Sequence, residues 1–447
     1  MTKNLKISEY IDSFYREYSI YTINNRAIPS IIDGFKPVQR KIIYCANKAV
    51  RSEFKKVSSF AGLLPNMAAY HHGDSSSQDA IIKMSQDFDK NVPFLKSSGS
   101  FGSRLVPVAS APRYIFSKLH DNFDLFFKDN DLVPLSLDKD DHPEPLYYLP
   151  IIPTVLLNGV SGVSVGYKTE ILPRSPKELT KSCIEFLTTG KAKRVNPWLK
   201  NFRGKFLKDG PNRWNCIGKF EHLKGAQYRI TEIPIGITHE KYIEHLMNLR
   251  EKGEITRYLD ESDERYDITV VLSPKNYSIS DEDFTKLFKL SKPITEIMWF
   301  LQDFNYNESD VSSVRIVRYE KTEEIIKDFC EFRIGFYDVR IKNNIDRLNR
   351  DILLLDEKIR FLKEVIKGTI LVNKLDRKGL VNELKKKSYT EDNIENLISI
   401  PIYAMTKDNI DKWTKLIKDK KAELKKWKSS NKLDLYLEDL NELLNKL

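Results

Sequence analysis

The stretch Ala27–Lys41, which reads AIPSIIDGFKPVQRK, is a turn rich in proline and glycine that leads into a predicted helix. This helix opens with Gln39, Arg40 and Lys41. Two adjacent cations at the start of a helix oppose the helix dipole, so some other interaction must favour them there. Contact with phosphate is one such interaction. A surface pair with carboxylate neighbours is the alternative, and the stretch alone does not choose between them.

A second segment, Ala69–Ser77 (AYHHGDSSS), precedes a helix predicted over residues 75–88, with Asp74 as its N-cap. Glycine, aspartate and three hydroxyls at a helix start favour anion binding, and such a first turn can also face a DNA groove. We discount a metal site at the two adjacent histidines, because neighbouring side chains seldom converge on one ion. The apolar face of the predicted helix comprises Ile81, Met84 and Phe88.

A third segment joins a loop of glycine and serine, Ser98–Arg104, to Ala109–Phe116 (ASAPRYIF). Tyr114 in this segment is a candidate covalent nucleophile. The pKa of a free tyrosine is about 10, so near neutral pH the phenol needs help to lose its proton. Arg113 could stabilise either the phenolate or the phosphate that it attacks. The chain has 21 tyrosines, so this pair alone more often marks a buried tyrosine beside a surface arginine.

Between residues 150 and 321 the pattern changes to short β-type runs separated by proline and glycine. We predict an α+β domain with a central sheet in this region. The predicted strands are Thr154–Leu157, Gly162–Val165, Tyr228–Thr231 and Asp267–Leu272.

From about Glu323 the chain is predicted to be helical, with apolar residues repeating at spacings of four and three between Ile341 and Ile366. The repeat breaks at Gly368, and a second helix returns from Ile410 to Trp427. This pattern predicts two long helices in an antiparallel coiled-coil arm with a globular knob between them. An ordinary helix bundle is the alternative.

The composition limits the classes of function. The chain has 447 residues and a net charge of +10, which favours an anionic partner such as nucleic acid over a merely basic soluble surface. No run of about 20 apolar residues occurs, so we expect no membrane-spanning helix and no membrane partner. The four cysteines are far apart and form no CxxC pair, which argues against disulfides and a cysteine zinc site and favours a cytoplasmic protein.

Read in order, the segments resemble the breakage–rejoining part of type IIA DNA topoisomerases, namely the A subunits of gyrase and topoisomerase IV and the central region of eukaryotic topoisomerase II. Several motifs in the right order carry this resemblance over nearly the whole chain. They are Ala27–Lys41, Tyr70–Asp74 (YHHGD), Phe101–Leu105 (FGSRL), Ala109–Phe116, Leu149–Gly166 (LPIIPTVLLNGVSGVSVG), 196–204 (NPWLKNFRG), 230–236 (ITEIPIG) and Leu397–Thr406 (LISIPIYAMT).

The resemblance implies an α+β multidomain fold. It places an N-terminal helical arm at residues 1–25 and a winged-helix DNA-cleavage domain at residues 26–149. An α/β tower domain is expected at residues 150–322. A long antiparallel coiled-coil arm with a terminal dimerisation knob, which forms the exit gate of the family, is expected at residues 323–447.

The resemblance also implies roles for individual residues. Tyr114 matches the nucleophile that forms a phosphotyrosine bond to a DNA 5′ end, and Arg113, Arg40 and His72 match the other catalytic residues. Val163 replaces the isoleucine that wedges between bases in the family, so we expect a weaker DNA bend. The expected DNA-binding residues are Lys41, Arg51, Lys55, Lys56, His71, Ser75, Asp79, Arg104 and Val163.

No ATP-binding glycine motif and no Glu…Asp-x-Asp metal set is found in the sequence, so we expect a separate subunit to hold the ATP and the Mg²⁺. A separate cleavage chain of this length is similar to the medium subunits of T-even-type bacteriophage enzymes, which would place it in the host cytoplasm. The expected partners are double-stranded DNA, a second copy of the chain and that separate subunit. With no gyrase-type wrapping domain, we expect relaxation or decatenation rather than negative supercoiling.

Two other functions are considered. A non-catalytic, architectural DNA-binding protein of the same fold would lack the nucleophile or its arginine, yet both Tyr114 and Arg113 are present. A metal-dependent nuclease built on His71, His72 and Asp74 would leave free DNA ends, whereas a topoisomerase leaves ends linked to protein.

Overall fold

The computed structural model describes residues 6–137, 143–302, 315–372 and 375–447. It forms two compact units, the first containing residues up to Arg333 together with Leu437–Leu447, and the second Ile334–Tyr436. Helices alternate with small antiparallel sheets in the first unit, and the second is helical. The predicted α+β class is therefore confirmed, while the four-part domain division stays a prediction.

The first unit begins with a helical segment, residues 7–27, in which α-helical and π-helical turns alternate. A three-stranded sheet follows, with Phe116–Leu119 between Lys55–Lys56 and Leu95–Ser98. The helices around this sheet are Pro37–Ala49, Val57–Ala61, Leu64–Ala68, Asp74–Ser85 and Phe123–Phe126, with a 3₁₀ turn at Asn130–Leu132.

The described residues in the rest of the first unit form five further sheets or hairpins and several helices. A four-stranded antiparallel sheet has the order Lys219–His222, Gln227–Glu232, Ile268–Leu272 and Ile255–Asp260. A three-stranded sheet has the order Ser291–Thr295, Arg213–Ile217 and Lys205–Gly210. The hairpins pair Leu135–Leu137 with Pro143–Pro145, Val160–Val163 with Lys168–Ile171, and Met298–Gln302 with Arg315–Tyr319. The helices are Thr154–Asn158, Pro176–Thr189, His239–Glu251 and Asp281–Leu287, with a 3₁₀ turn at Pro274–Asn276.

A buried core holds the four-stranded sheet against its helices. Alternate residues of the strand Ile268–Leu272 are buried, as expected when one face of a sheet covers a core. Tyr242 and Leu246 of the helix His239–Glu251 pack into the same cluster, and Phe284 joins it from the helix Asp281–Leu287. The strands predicted at residues 228–231 and 267–272 are therefore confirmed.

A buried ion pair joins distant parts of the first unit. Arg174 and Glu296 are each 1% exposed, and their closest charged atoms are 2.6 Å apart. The same carboxylate accepts hydrogen bonds from Trp214 Nε1 at 2.8 Å and from the amide of Leu172 at 2.8 Å. Removing the carboxylate would leave a buried, uncompensated guanidinium.

We expect Glu296→Ala to lower the free energy of unfolding by about 3–5 kcal/mol, because one partner of a buried pair is left uncompensated. Urea denaturation followed by tryptophan fluorescence measures this change. The matched control is Glu282→Ala, which removes an exposed pair with Lys286 and should cost at most about 1 kcal/mol. Equal losses for the two variants would contradict the prediction.

The second unit consists of helices. The helix Thr322–Ile366 continues into it, Lys407–Lys428 returns, and the helix Lys432–Lys446 follows. Lys420 of the returning helix contacts Asp351 at 2.8 Å, and Lys432 at the start of the third helix contacts the earlier Asp338 at 2.7 Å, so the chain returns antiparallel to the first helix. Buried Ile352, Leu355 and Ile359 pack with Ile417, as the apolar repeat predicts. The helices Arg377–Lys386 and Glu391–Ile398 and the 3₁₀ turn Ile402–Ala404 lie between the long helices.

Several local predictions are wrong. Thr154–Leu157 is helical instead of extended, and this short run is buried on all sides, which removes the periodicity that separates helix from strand. Gly73 occupies the N-cap, so Asp74 is the first helical residue and acts through the helix dipole. The same helix ends at Ser85, because Gln86 is extended, and Phe88 therefore lies outside it. The strand predicted from Gly162 begins and ends two residues earlier.

No described helix is both long and apolar enough to cross a membrane. The four cysteines all lie in the described part of the chain, where they are buried and form no disulfide bond.

Candidate active site

Tyr114 lies in a turn that is tied down on both sides. Its amide donates to the carbonyl of Ala111 at 2.9 Å. The amide of Val57 donates to the carbonyl of Ile115 at 2.9 Å, and the amide of Ser58 donates to the carbonyl of Pro112 at 3.2 Å. The central strand Phe116–Leu119 starts two residues after the tyrosine. These bonds fix the backbone that presents the side chain.

The phenol of Tyr114 points away from the core. The residue is 68% exposed, whereas Ile115 beside it is 1% exposed. The guanidinium carbon of Arg113 lies 5.4 Å from the centroid of the Tyr114 ring, within the range of a cation–π contact. The expectation of a buried tyrosine is therefore excluded, and the exposed hydroxyl has a permanent positive charge beside it.

The helix Asp74–Ser85 supports this turn from behind. Ser85 Oγ and Ser117 Oγ form a buried hydrogen bond of 2.9 Å that joins the helix to the central strand. Gln86, next in sequence, donates from Nε2 to the carbonyl of Phe101 at 2.9 Å. Gly99 has φ +98°, and a Cβ there would lie 3.1 Å from the Ile115 side chain. The glycine and serine loop is thus held close to the tyrosine.

Arg40 is held by a carboxylate from its own segment. Its Nε and Nη2 donate to the two oxygens of Asp33 at 2.8 and 3.2 Å. Asp33 is fully buried, and it also accepts from the amides of Phe35 at 3.0 Å and Tyr148 at 3.1 Å. The carboxylate therefore sets the orientation of the guanidinium, which is 15% exposed.

His72 forms a second basic group with Arg26. Nη2 of Arg26 lies 3.3 Å from Nδ1 of His72, and the ring of Tyr70 meets the imidazole edge to face. Partial burial, together with the charges of Arg26 and His71, lowers the pKa of His72 below its ordinary value. Because an arginine can only donate, Nδ1 accepts and the neutral ring carries its proton on Nε2.

We expect Arg26→Gln to raise the pKa of His72, because the substitution removes a neighbouring positive charge. In the unchanged protein the lowered pKa keeps the ring neutral at pH 7, and protonation occurs only as the pH falls below that pKa. Titration of the histidine ring protons by NMR measures the shift. Arg16→Gln is the control, since Arg16 is exposed on the same helical segment and should leave the pKa of His72 unchanged. An unchanged pKa in Arg26→Gln would show that the Arg26 charge does not depress the pKa of His72.

The candidate residues form separate groups within the chain. One group is Tyr114 with Arg113, and another is His72 with Arg26. Within the described residues, no hydrogen bond or ring contact joins Tyr114 to Arg40 or His72. A phosphate bound by all of them would bridge these groups.

Three of the predicted DNA-binding residues already have protein partners. Lys41 Nζ lies 2.9 Å from both carboxylate oxygens of Glu144, and Arg51 pairs with Asp124. Arg104 contacts Glu232 at 3.1 Å and donates to the carbonyl of Ile233 at 2.8 Å. Their DNA contacts stay predictions, and these partners give each residue a structural role as well.

The other predicted DNA-binding residues lie at the surface. Val163 is 72% exposed at the end of its strand. Lys55 is half-buried and pairs in register with Ser117, beside the strand that follows Tyr114. The exposed residues among the others are Lys56, His71, Ser75 and Asp79.

Three carboxylates downstream of Tyr114, those of Asp121, Asp124 and Asp129, form ion pairs. Lys118 and Lys96 donate to Asp121 at 2.7 and 2.8 Å and hold its pKa at about 2. Asp129 pairs with Arg333 at 2.7 Å. In the part of the chain that the structure describes, no three His, Cys, Asp or Glu residues form a group that could hold a metal ion. Among these described residues, the carboxylates do not fit a resident Mg²⁺ site.

Sequence reasoning missed three residues of this region: Arg26 beside His72, Asp33 beneath Arg40, and Lys36, whose Nζ donates to the carbonyl of Ser161 at 2.9 Å. The partners of Arg26 and Lys36 lie 46 and 125 residues away, so no local pattern reveals them. Asp33 lies in the quoted Ala27–Lys41 stretch, seven residues before Arg40. This short spacing across a proline turn could have suggested that the two residues pair.

Comparison with known proteins identifies the family of the chain. The family model of the DNA gyrase/topoisomerase IV A subunit matches residues 26–441. The DNA topoisomerase medium subunit of Enterobacteria phage T4 is 35% identical over 98% of this chain and 99% of its own length. DNA topoisomerase 2 of Plasmodium falciparum is 29% identical over 99% of this chain, which spans 34% of that enzyme.

A solved structure is also similar. The DNA-binding, cleavage and re-ligation domain of P. falciparum topoisomerase II matches with a TM-score of 0.88 and 28% identity, over 100% of this chain and 65% of that one. The expected resemblance, including that to the phage medium subunits, is confirmed. The chain belongs to the family of DNA gyrase and topoisomerase IV A subunits, which are type II DNA topoisomerases.

Proposed function

We propose that this chain is the DNA-cleaving and rejoining subunit of an ATP-dependent type II topoisomerase, with Tyr114 as its nucleophile. The exposed phenol with the Arg113 guanidinium beside it is the observation that carries the proposal. The Tyr114 oxygen attacks a backbone phosphorus and the bond from phosphorus to the 3′ oxygen breaks. The phenolic proton is lost, and the leaving 3′ oxygen takes up a proton. The 5′-phosphotyrosine bond retains the energy of the phosphodiester bond that was broken, so rejoining needs no external energy.

The roles of the basic residues are assigned from the charge or the hydrogen bond that each can provide to the phosphate. Arg113 and Arg40 place fixed positive charge where negative charge develops in the transition state. His72 is neutral near pH 7 and can donate from Nε2 to a phosphate oxygen or to the leaving oxygen. Arg26 fixes the tautomer of this ring and adds a further cation.

A double-strand break requires two nucleophiles, so two copies of the chain are needed. We propose that they join through the region between the two long helices, where Tyr403 is 85% exposed at the end of a helical arm. The division into helical arm, winged-helix, tower and gate domains belongs to this proposal. Analytical ultracentrifugation of the chain alone tests the dimer.

The name of the phage relative, a medium subunit, supports the existence of separate partner subunits. The family uses Mg²⁺ and ATP, and we assign both to such a partner. We expect the isolated chain to bind duplex DNA with strong salt dependence but to cleave it at least about 100-fold more slowly than the complex, because charge stabilisation by a metal is missing. Efficient Mg²⁺-dependent cleavage by the isolated chain would contradict this assignment.

One experiment tests the central proposal. The purified chain is mixed with its partner subunits, Mg²⁺ and supercoiled DNA, and the reaction is quenched with detergent. Protein covalently attached to DNA 5′ ends is the expected result, whereas free ends would indicate a nuclease, and no cleavage an architectural protein. Adding ATP and following topoisomers on gels tests the preference for relaxation or decatenation over negative supercoiling.

The proposed DNA surface surrounds the tyrosine turn. Lys55 and Lys56 lie on the strand next to the one that follows Tyr114, and Ser75 and Asp79 lie on the exposed side of the helix behind it. Because phosphate contacts release counterions, single substitutions among the lysines should each reduce the salt dependence of binding slightly. The remaining members of this surface are Lys41, Arg51, His71, Arg104 and Val163.

A further inference from the structure

Val163 is carried by a hairpin that we call the wedge hairpin, formed by Val160–Val163, Lys168–Ile171 and the turn between them. The amide of Ser164 donates to the carbonyl of Tyr167 at 2.8 Å and closes the turn. A two-stranded hairpin is only marginally stable alone. An exposed side chain on it can therefore bend DNA only if the rest of the protein holds the hairpin in place.

Lys36 holds one side of this hairpin. Its Nζ donates to the carbonyl of Ser161 at 2.9 Å, two residues before Val163. Among the described residues, no carboxylate lies within 4.0 Å of this ammonium group, so no ion pair explains its position. Lys36 also precedes the helix Pro37–Ala49, which carries Arg40. The lysine therefore links the hairpin to the segment that orients a proposed catalytic arginine.

Gly162 allows a second close contact. A Cβ at this position would lie 2.1 Å from the carbonyl oxygen of Ala27 and 3.2 Å from Lys36 Nζ. Real Cβ atoms do not approach a backbone oxygen so closely, so any other residue would push the hairpin away from the end of the helical segment 7–27. Ser164 Oγ also lies 3.4 Å from Thr22 Oγ1 on that segment. The hairpin is thus fixed against two elements that adjoin Arg26 and Arg40.

We infer that Lys36 and Gly162 are positioning residues that set how strongly Val163 bends the DNA and how well that bend places the scissile phosphate. This inference rests on the proposed function. Lys36 acts here through its bond to the hairpin carbonyl, and Gly162 acts by leaving room for the backbone of Ala27. The alternative is that Lys36 is one more phosphate contact, and the two roles differ in what they do to the salt dependence of binding.

The first test uses Lys36→Met in the complete complex with its partner subunits and Mg²⁺. Energy transfer between dyes on the two ends of a short duplex measures the bent fraction. We expect the ratio of bent to straight DNA to fall about tenfold, the effect of losing one hydrogen bond from a charged donor, with the salt dependence of binding unchanged. Normal bending with a salt slope reduced by about 0.9 would instead assign Lys36 to a phosphate and overturn the inference.

Lys83→Met is the matched control, because Lys83 is exposed on the neighbouring helix, close enough to influence Lys36 electrostatically, and donates no bond to the wedge hairpin. It should leave the bent fraction unchanged. A fall in bending equal to that of Lys36→Met would show that positive charge in this region, and not the bond to Ser161, is what matters.

The second test uses Gly162→Ala, with Gly166→Asn as its control. A Cβ at Gly166 meets nothing within 4 Å, and asparagine tolerates the φ of +76° found there. Gly162→Ala should reduce bending about tenfold or more, and Gly166→Asn should not. A duplex containing a flexible bulge at the bend needs less force, so it should restore cleavage in both Lys36→Met and Gly162→Ala. Misfolded variants would not recover, and absence of rescue in correctly folded variants would overturn the inference.

Two reference variants separate this inference from the proposed function. Tyr114→Phe should give no covalent adduct on either duplex, and Val163→Ala should reduce bending whatever Lys36 does. If the unchanged complex forms no adduct, the proposed function fails. If adducts form and Val163→Ala behaves as expected but Lys36→Met bends DNA normally, only the present inference fails.

Discussion

Replacing Tyr114 with phenylalanine should abolish DNA cleavage and strand passage by the assembled enzyme. The substitution removes the hydroxyl that would form the phosphotyrosine bond and leaves the rest of the side chain in place. The ring remains under the Arg113 guanidinium, 5.4 Å from its centroid, and the backbone bonds of the turn involve no side chain. DNA affinity and thermal stability should therefore remain nearly unchanged.

Detergent-quenched reactions with end-labelled DNA measure this loss directly, and a decrease of at least about 10⁴-fold in covalent adduct is expected for the loss of a nucleophile. Tyr277→Phe is the matched control, because Tyr277 is also exposed, at 56%, and lies outside the site. Adducts that persist in Tyr114→Phe would assign the nucleophile to another residue.

Arg113→Ala should have the second-largest effect on the chemistry. A fixed cation next to the reacting phosphate is worth about 10²- to 10³-fold in rate when it stabilises developing charge. Arg113 is exposed, so its removal leaves no buried charge behind. Single-turnover cleavage by the assembled complex should slow by that factor, while DNA affinity falls only modestly because other basic residues share the phosphate contacts.

Arg250→Ala is the control for this variant. Arg250 is also exposed, and its guanidinium lies 5.9 Å from the ring centroid of Tyr258. The cleavage rate should be unchanged in Arg250→Ala. A normal cleavage rate on bound DNA in Arg113→Ala, together with a large loss of affinity, would make Arg113 a binding residue only.

Arg40 cannot be tested in the same way. Arg40→Ala would leave the Asp33 carboxylate buried with two of its donors gone, and it should cost about 3–5 kcal/mol of stability before any effect on the rate. The sequence suggested a simple comparison of Arg40 with Arg113, but only the structure shows that one arginine is exposed and the other is paired.

Much of the architecture was predictable because it depends on periodicity. The apolar repeat from residue 341 to 366 predicted the long helix, and the short β-type run at residues 267–272 predicted the strand Ile268–Leu272. The strand predicted at Thr154–Leu157 is wrong, because a short run buried on every side has no periodicity to distinguish a helix from a strand.

The individual residues of the candidate site were predicted from ordered motifs, whereas their interactions within the chain could not be predicted. The first stretch left phosphate contact and carboxylate neighbours as equal explanations for Arg40 and Lys41. Within the chain, Arg40 meets Asp33 and Lys41 meets Glu144, a residue 103 positions away. Such pairings depend on how distant segments pack, and no local pattern encodes them.

The pairing of Arg40 with Asp33 also restricts how this region can evolve. Replacement of Arg40 alone would leave the fully buried Asp33 carboxylate uncompensated, and replacement of Asp33 alone would remove the carboxylate that orients the Arg40 guanidinium, so each first step is selected against. Replacing the ion pair with two uncharged residues would require both codons to change nearly at the same time. We therefore expect the two residues to covary across homologous sequences, and chains that have lost cleavage activity should be the ones in which both have been replaced.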